Sequence, residues 1–305
     1  MAPIGELCAL AAATTWAVGS ILFAGLGRTV PAGAMNLGKL VAAGVLLSVT
    51  HVVLGGALLP PSASTHAIVL LSASGLLGLS LGDWAYFAAM DALGVARAML
   101  LLSTAPVFAA LGGRLWLDER LDARSGLGMA LTIGGVVLVV MRRTPAPKIA
   151  ALAGAAPRPS TARGVALGIV SALGQAGGSL LSRRAMQEGI DPLAAAAGRL
   201  IVGAVGLFAI AMVWRRARPW IAALRRDRAW LKVGLAAVIG SYVGIWLAQI
   251  ALQRSRSTGV ATTLLATPPV LGLPLAHAVG LDRITPRALF GAVVAVAGIA
   301  LLSIR

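Results

Sequence analysis

The segment Ser103-Thr104-Ala105-Pro106-Val107 returns in altered form late in the chain, where Thr267-Pro268-Pro269-Val270 falls on Thr104-Ala105-Pro106-Val107 at an offset of 163 residues. Both copies sit inside apolar runs. Proline within such a run removes a helix hydrogen bond and clashes with the preceding turn. A helix is therefore expected to bend at Pro106 and, at the equivalent place, at Pro268 and Pro269, each bend being either a hinge or a fixed packing shape. The correspondence extends outward. Glu119-Arg120-Leu121 falls on Asp282-Arg283-Ile284, Arg124 on Arg287, Gly128 on Gly291 and Gly135 on Gly298. Upstream, one slip of register brings Gly78, Gly82 and Trp84 onto Gly240, Gly244 and Trp246, while Gly19-Ser20 falls on Gly178-Ser179 and Lys39 near Arg199. The order of the matches is preserved, which is the mark of an internal duplication.

What is duplicated is a set of apolar runs. The 305 residues are 58% hydrophobic and 12% charged, about half the charge of a soluble globular domain. Weakly polar runs of about 18 to 25 residues recur along the whole chain. Spans are expected near residues 4–26, 34–58, 66–90, 94–116 and 124–141, then 163–182, 192–214, 229–252, 258–280 and 286–304. The predicted fold is an all-α integral membrane protein with ten transmembrane helices. An odd number of crossings per copy turns the second copy upside down. The duplication thus predicts two inverted five-helix repeats, 1–141 and 163–305, joined by a Pro-rich linker at 142–162. That architecture is common in transporters, because two near-equivalent halves can exchange conformations around one midplane site. Residues 215–228 read as a basic loop lying on the membrane surface. The first run carries Glu6 and Trp16 with no basic leader, the pattern of a retained helix and not of a signal peptide.

The formal charge of +16 invites a nucleic-acid partner, but the arginines cluster between apolar runs, as in Arg142-Arg143, Arg183-Arg184, Arg215-Arg216 and Arg225-Arg226. Such clusters anchor helices at the membrane surface, so no nucleic-acid partner is expected. Cys8 is the one cysteine, which rules out an internal disulfide. His51, His66 and His277 lack a second ligand at a useful spacing, so neither a metal nor another cofactor is implied. Gly-x-Ser-x-Gly, His-Glu-x-x-His and phosphate-cradling Gly-Lys-Ser/Thr patterns are missing. An enzyme is not expected, and transport would draw on an ion or solute gradient.

The chain resembles the EamA type of the drug/metabolite transporter superfamily, whose members carry two five-helix repeats. The resemblance covers nearly the whole length. It rests on Ser103 to Val107, followed by Asp118-Glu119-Arg120-Leu121 and a Gly-rich closing helix from Gly126 to Val140. The second copy, Thr267 to Ile304, has Leu281-Asp282-Arg283 where the family usually shows Gly-Glu-Arg. The resemblance implies a carrier exporting or exchanging small organic solutes such as amino acids, metabolites or drugs, in a bacterial cytoplasmic (inner) membrane. Relatives of this kind usually keep both termini in the cytoplasm. The side away from the termini nevertheless holds about twice the basic residues of the terminal side, and the positive-inside rule then places both termini outside.

Ionisable groups within the hydrocarbon cost roughly 2.5–3.5 kcal/mol on insertion scales, so each needs a partner or a wet cavity. Lys39, Asp83 and Arg199 are the clearest cases. At a helical rise of about 1.5 Å per residue, Lys39 and Asp83 lie roughly 9–12 Å below the same surface, within reach of an ion pair. Asp83 aligns with Ile245, so the acid has no counterpart in the second half. Asp83 is expected to couple protons or bind a solute amine, with Lys39 and Arg199 holding a carboxylate or neutralising Asp83. Trp16 and Ser20 on the first span, with Gln175 and Ser179 on the equivalent face of the sixth, are candidates for lining a central cavity. Trp84, Tyr86, Tyr242, Trp246 and Gln249 add aromatic and amide surface suited to an organic solute, although Trp and Tyr also serve as interfacial anchors.

The predicted activity is secondary active transport of a small organic solute through a central cavity by alternating access, as exporter or exchanger. Protons are a candidate coupling ion, and a monomer or homodimer the working unit. The alternative is a flippase for lipid or a lipid-linked substrate, which a lateral apolar groove between the halves would favour.

Overall fold

Long runs of Ala, Leu, Val and Gly leave the backbone in a bilayer no polar partner but itself, and helix is the local answer. The computed structural model of the chain describes residues 4–26, 29–57, 63–93, 95–141, 162–278 and 285–303. The first half contains α1 (Ile4–Leu26), α2 (Ala32–Val53) and α3 (Thr65–Ser74), which widens into a π-helical segment, Gly75–Gly82, and continues as α4 (Asp83–Leu93). It ends with α5 (Val95–Leu102), α6 (Ala105–Trp116) and α7 (Ala123–Met141). The second half contains α8 (Ala162–Gln187), α9 (Pro192–Val213), α10 (Ala217–Arg225) and α11 (Ala229–Ala237). After α11 a second π-helical segment, Val238–Val243, leads to α12 (Gly244–Arg254), α13 (Thr258–Leu265), α14 (Pro268–Leu271), α15 (Leu273–Ala278) and α16 (Pro286–Ser303). Most of the expected linker and the Asp282-Arg283 motif lie outside the described residues.

Among the described residues, six helices are long and apolar enough to cross a membrane: Ile4–Phe23, Ala32–Val53, Thr65–Tyr86, Ala162–Gln187, Pro192–Val213 and Ala217–Arg254. Shorter apolar helices cover Ala123–Val139, Thr258–Leu271 and Pro286–Leu302. Their outer faces are apolar, with Val41, Val45 and Val49 exposed along α2 and Leu289, Phe290, Val293 and Val296 along α16. A surface of that kind belongs in lipid, and the chain is an all-helical integral membrane protein.

The expected bends at Pro106 and at Pro268 and Pro269 are full interruptions. One helix stops at Leu102 and the next starts at Ala105; the equivalent pair stops at Leu265 and restarts at Pro268. Proline has no N–H to donate and is favoured in the first turn of a helix, where Pro106 and Pro268 both lie. In both copies the threonine at the break ties back by its N–H and its hydroxyl, Thr104 Oγ1 donating to the Leu101 carbonyl and Thr267 Oγ1 to the Leu264 carbonyl, each at 2.6 Å. The basic segment 215–228 contains a short helix, α10. α10 buries Trp220 against Gly33 of α2, and Asp227 and Arg228, at φ +48° and +53°, turn the chain into α11.

Equivalent helices of the duplication meet each other. On α7 and α16, Gly128 lies against Gly298 and Gly135 against Gly291, so these helices run antiparallel. On α2 and α9, Gly44 lies against Leu200 and His51 Nδ1 is 4.0 Å from Asp191 Oδ1, again antiparallel. Reciprocal contacts appear between α1 and the second π segment and between α8 and the first. A Cβ on Gly19 would come 2.8 Å from the Gly240 Cα, and one on Gly178 would come 3.0 Å from the Gly78 Cα. Inserting a methyl where backbones touch costs about 1–3 kcal/mol. Gly178→Ala is thus expected to lower the melting temperature by roughly 2–8 °C. Gly126→Ala, whose Cβ would meet nothing within 4 Å, should leave it unchanged in the same thermal melt.

Candidate functional site

The first π segment and the start of α4 bring one acid into the apolar core. Lys39 Nζ of α2 lies 3.0 Å from Asp83 Oδ2, with the two side chains only 17% and 13% exposed. The depth count along two antiparallel helices predicts this pair, and the packing of α2 against α4 supplies the facing that depth leaves open. On the other carboxylate oxygen, Gln175 Nε2 of α8 donates to Asp83 Oδ1 at 2.6 Å. The same amide reaches the Gly78 carbonyl at 3.3 Å, and Asn36 Nδ2, one turn before Lys39, reaches the Leu79 carbonyl at 3.5 Å. A π turn holds one residue more than an α turn and tilts carbonyls out of the ladder, so such turns gather at functional positions. Here the tilted carbonyls collect amides from both halves of the chain.

Arg199 of α9 approaches the same segment from the other side. Its backbone packs on Gly75, and a Cβ on Gly78 would come 3.1 Å from its Nη2. Arg199 is 6% exposed, feels the charge of Asp83, and its Nε has no hydrogen-bond partner. Lys39, Asp83, Gln175 and Arg199 thus converge around Gly78, two residues from each half.

Trp16, Trp84, Tyr242 and Trp246 all pack on a single apolar cluster built mainly from α2 and α9, with Leu79 of the first π segment, Trp220 of α10, Val233 of α11 and Ile245 of α12. Trp16 is seated across Gly244, where a Cβ would collide with its indole. Trp84 tilts against Trp214 with ring centroids 4.8 Å apart. Tyr242 tilts against Trp246 at 6.3 Å, and its hydroxyl shares a hydrogen bond with Thr50 at 2.9 Å. Tyr86 and Ser179 are half-buried. Gln249 is fully buried and accepts from the Ser182 hydroxyl at 2.9 Å, a tie between α8 and α12. The Ser20 side chain lies outside the described residues.

A second polar constellation escapes the sequence reading. Glu119, which follows α6, is 8% exposed. It accepts from the Thr258 backbone N–H and from the Thr258 hydroxyl, both at 2.7 Å, and lies 3.0 Å from Arg183 Nε. Arg183 in turn donates to the carbonyls of Leu252 at 2.7 Å and Ser255 at 2.9 Å. The carboxylate sits at the N-terminus of α13 and the guanidinium at the C-terminus of α12, each at the helix end whose dipole favours it. Around the same end of the molecule, Glu6 faces Arg256 at 3.8 Å, and Ser64 and His66 reach Glu188 at 2.7 and 2.8 Å. The Ser64 hydroxyl, with the His66 imidazole, holds the Glu188 carboxyl below the usual carboxylate range. Among the described residues, the ion pairs that join the two halves all lie at this end, where the first helix begins. The signal for Glu119 was its place in the repeated Glu-Arg-Leu motif, but no sequence feature links it to Arg183 or Thr258.

The description "EamA-like transporter family" matches residues 3–141 and 162–304. No curated protein matches the chain significantly. A solved structure described as "Crystal structure of protein" superposes with a TM-score of 0.78 at 17% identity, covering 99% of this chain and 96% of that one, which shows a shared fold. Two family matches, one on each side of residues 142–161, account for nearly every described helix, and the chain belongs to the EamA-like transporter family of membrane transporters.

Proposed function

We propose that the chain is a secondary active carrier that crosses the membrane ten times as two inverted five-helix halves, 1–141 and 163–305, around a site at Lys39, Asp83, Gln175 and Arg199. It moves a small organic solute by alternating access, as an exporter or exchanger in a bacterial inner membrane. The observation that carries this reading is the Lys39–Asp83 pair, bridged by Gln175 to the other half, inside an otherwise apolar core. An ionisable pair at that depth is costly to keep and marks a transport pathway more often than a structural strut. The matched π segments, with the interruptions at Pro106 and at Pro268 and Pro269, supply deformable points at equivalent places in both halves. The ion pairs gathered around Glu119 and Arg183 hold the terminal end shut, so that opening there requires breaking them.

Asp83→Asn keeps the shape and removes the charge. Reconstituted vesicles carrying it are expected to lose at least about 100-fold in solute flux, or to lose the pH dependence of that flux. Unchanged rate together with unchanged pH dependence would remove Asp83 from the mechanism. A flippase reading draws on one feature, an apolar groove of about 540 Å³ between α1 and α11, lined by Leu22, Leu26, Leu235, Ala236, Val238 and Ile239 with Lys232. It predicts scrambling of fluorescent phospholipid in the same vesicles, which the carrier reading does not.

A further inference from the structure

Lys39 and Arg199 occupy neighbouring places in the aligned halves, one on α2 and one on α9. Lys39 has its acid in Asp83, 3.0 Å away. The second-half position that aligns with Asp83 is Ile245, which is buried in the same apolar cluster as Leu200. The duplication therefore kept two cations and only one carboxylate. Arg199 is 6% exposed, its Nε makes no hydrogen bond, and among the described residues no carbonyl or side chain accepts from its guanidinium. A guanidinium out of water is tolerated when an acceptor comes to it. Its nearest polar surroundings are the Gly78 turn and the charge of Asp83, already engaged by Lys39 and Gln175.

We infer that Arg199 is the anion subsite of the carrier, and that the solute brings the carboxylate that the second half lacks at Ile245. A planar guanidinium presents paired donors that match a carboxylate with two parallel hydrogen bonds, which an ammonium does not. The solute class is thus a small organic acid or a zwitterion docked by its carboxylate. Gly78 brings the backbone of the first π segment close to the guanidinium, since a Cβ there would lie 3.1 Å from Nη2. The inference rests on the carrier reading of the same site, but its test does not depend on knowing the solute.

A charge retained for a ligand destabilises the empty protein, whereas a charge retained for packing stabilises it. Ligand-free Arg199→Met is expected to melt roughly 2–5 °C above the wild type. Sodium acetate, benzoate, glutamate and citrate, compared with sodium chloride at equal ionic strength, are the probes. At least one should raise the wild-type melting temperature saturably; Arg199→Met should lose that gain, and Arg199→Lys should keep part of it. The inference is overturned by a melting temperature of Arg199→Met below the wild type, by a carboxylate gain that survives in that variant, or by no carboxylate gain in the wild type. Flux in vesicles separates it from the reading beneath it. Arg199-dependent stabilisation without flux of the stabilising acid would remove the carrier and leave the anion subsite. Flux of neutral or cationic solutes untouched by Arg199→Met would do the reverse.

Discussion

Glu119→Ala should lower the melting temperature by about 6–20 °C, the largest stability loss expected from any single side chain described above. The substitution strips Arg183 of its buried counter-charge and leaves the Thr258 N–H and hydroxyl without an acceptor. Breaking a buried pair by removing one partner costs about 3–5 kcal/mol, and each kcal/mol moves the midpoint of a protein of this size by about 2–4 °C. The seven tryptophans allow the melt to be followed by intrinsic fluorescence. Replacing both members with apolar residues of similar length, Glu119→Leu with Arg183→Leu, should recover part of the loss, because no charge is then left buried alone. A single variant within 2 °C of the wild type would mean that the network carries no stability. Since this cluster joins the halves at one end, the double variant should also leave that end less often closed. A cysteine at Arg120 would then react faster with a thiol reagent confined to that side.

Lys39→Met carries the largest expected effect on transport. It leaves Asp83, 13% exposed, with the Gln175 amide but without its cation. Holding an unbalanced carboxylate at that depth costs roughly 2.5–3.5 kcal/mol, so the site loses its balanced charge pair. Flux in reconstituted vesicles should fall by about 100-fold, which is that free energy expressed as a rate. Lys39→Arg, which keeps the charge, should retain more of it. The companion variant Lys39→Met with Asp83→Leu separates stability from function. Its melting temperature should return to near the wild type while its flux stays low. Recovery of flux in that variant would make the pair a structural strut and nothing more.

The Lys39–Asp83 pair was legible because depth along a helix is additive: counting residues from the ends of two neighbouring spans places both groups at one level. Gln175 was legible as a member of a cavity-facing stripe, yet its partner was not, because a stripe gives the direction a side chain faces and not what stands opposite. Arg199 was visible as a buried cation, and its alignment with Lys39 was visible too. That it has no acceptor among the described residues emerged only when α9 was packed against the first π segment. The π segments themselves left only a trace, the matched glycines Gly78 and Gly82 with Gly240 and Gly244, since a widened turn and an ordinary one share the same composition. Proline predicted two bends and the structure made them breaks, each preceded by a threonine whose N–H and hydroxyl both turn back onto the carbonyl three residues earlier.

By itself the sequence determined that the chain lives in lipid, that it is a duplication, and which few charges lie inside the apolar runs. Hydropathy and repeat spacing are properties of one chain read in order, and these conclusions need nothing else. Tertiary structure alone decided who meets whom: Glu119 with Thr258, 139 residues apart, Gln175 with Asp83, 92 apart, and Arg199 with no acceptor among the described residues. The rotation of one helix about its axis relative to the next is set by packing of side chains from distant segments, and no period within either segment encodes it.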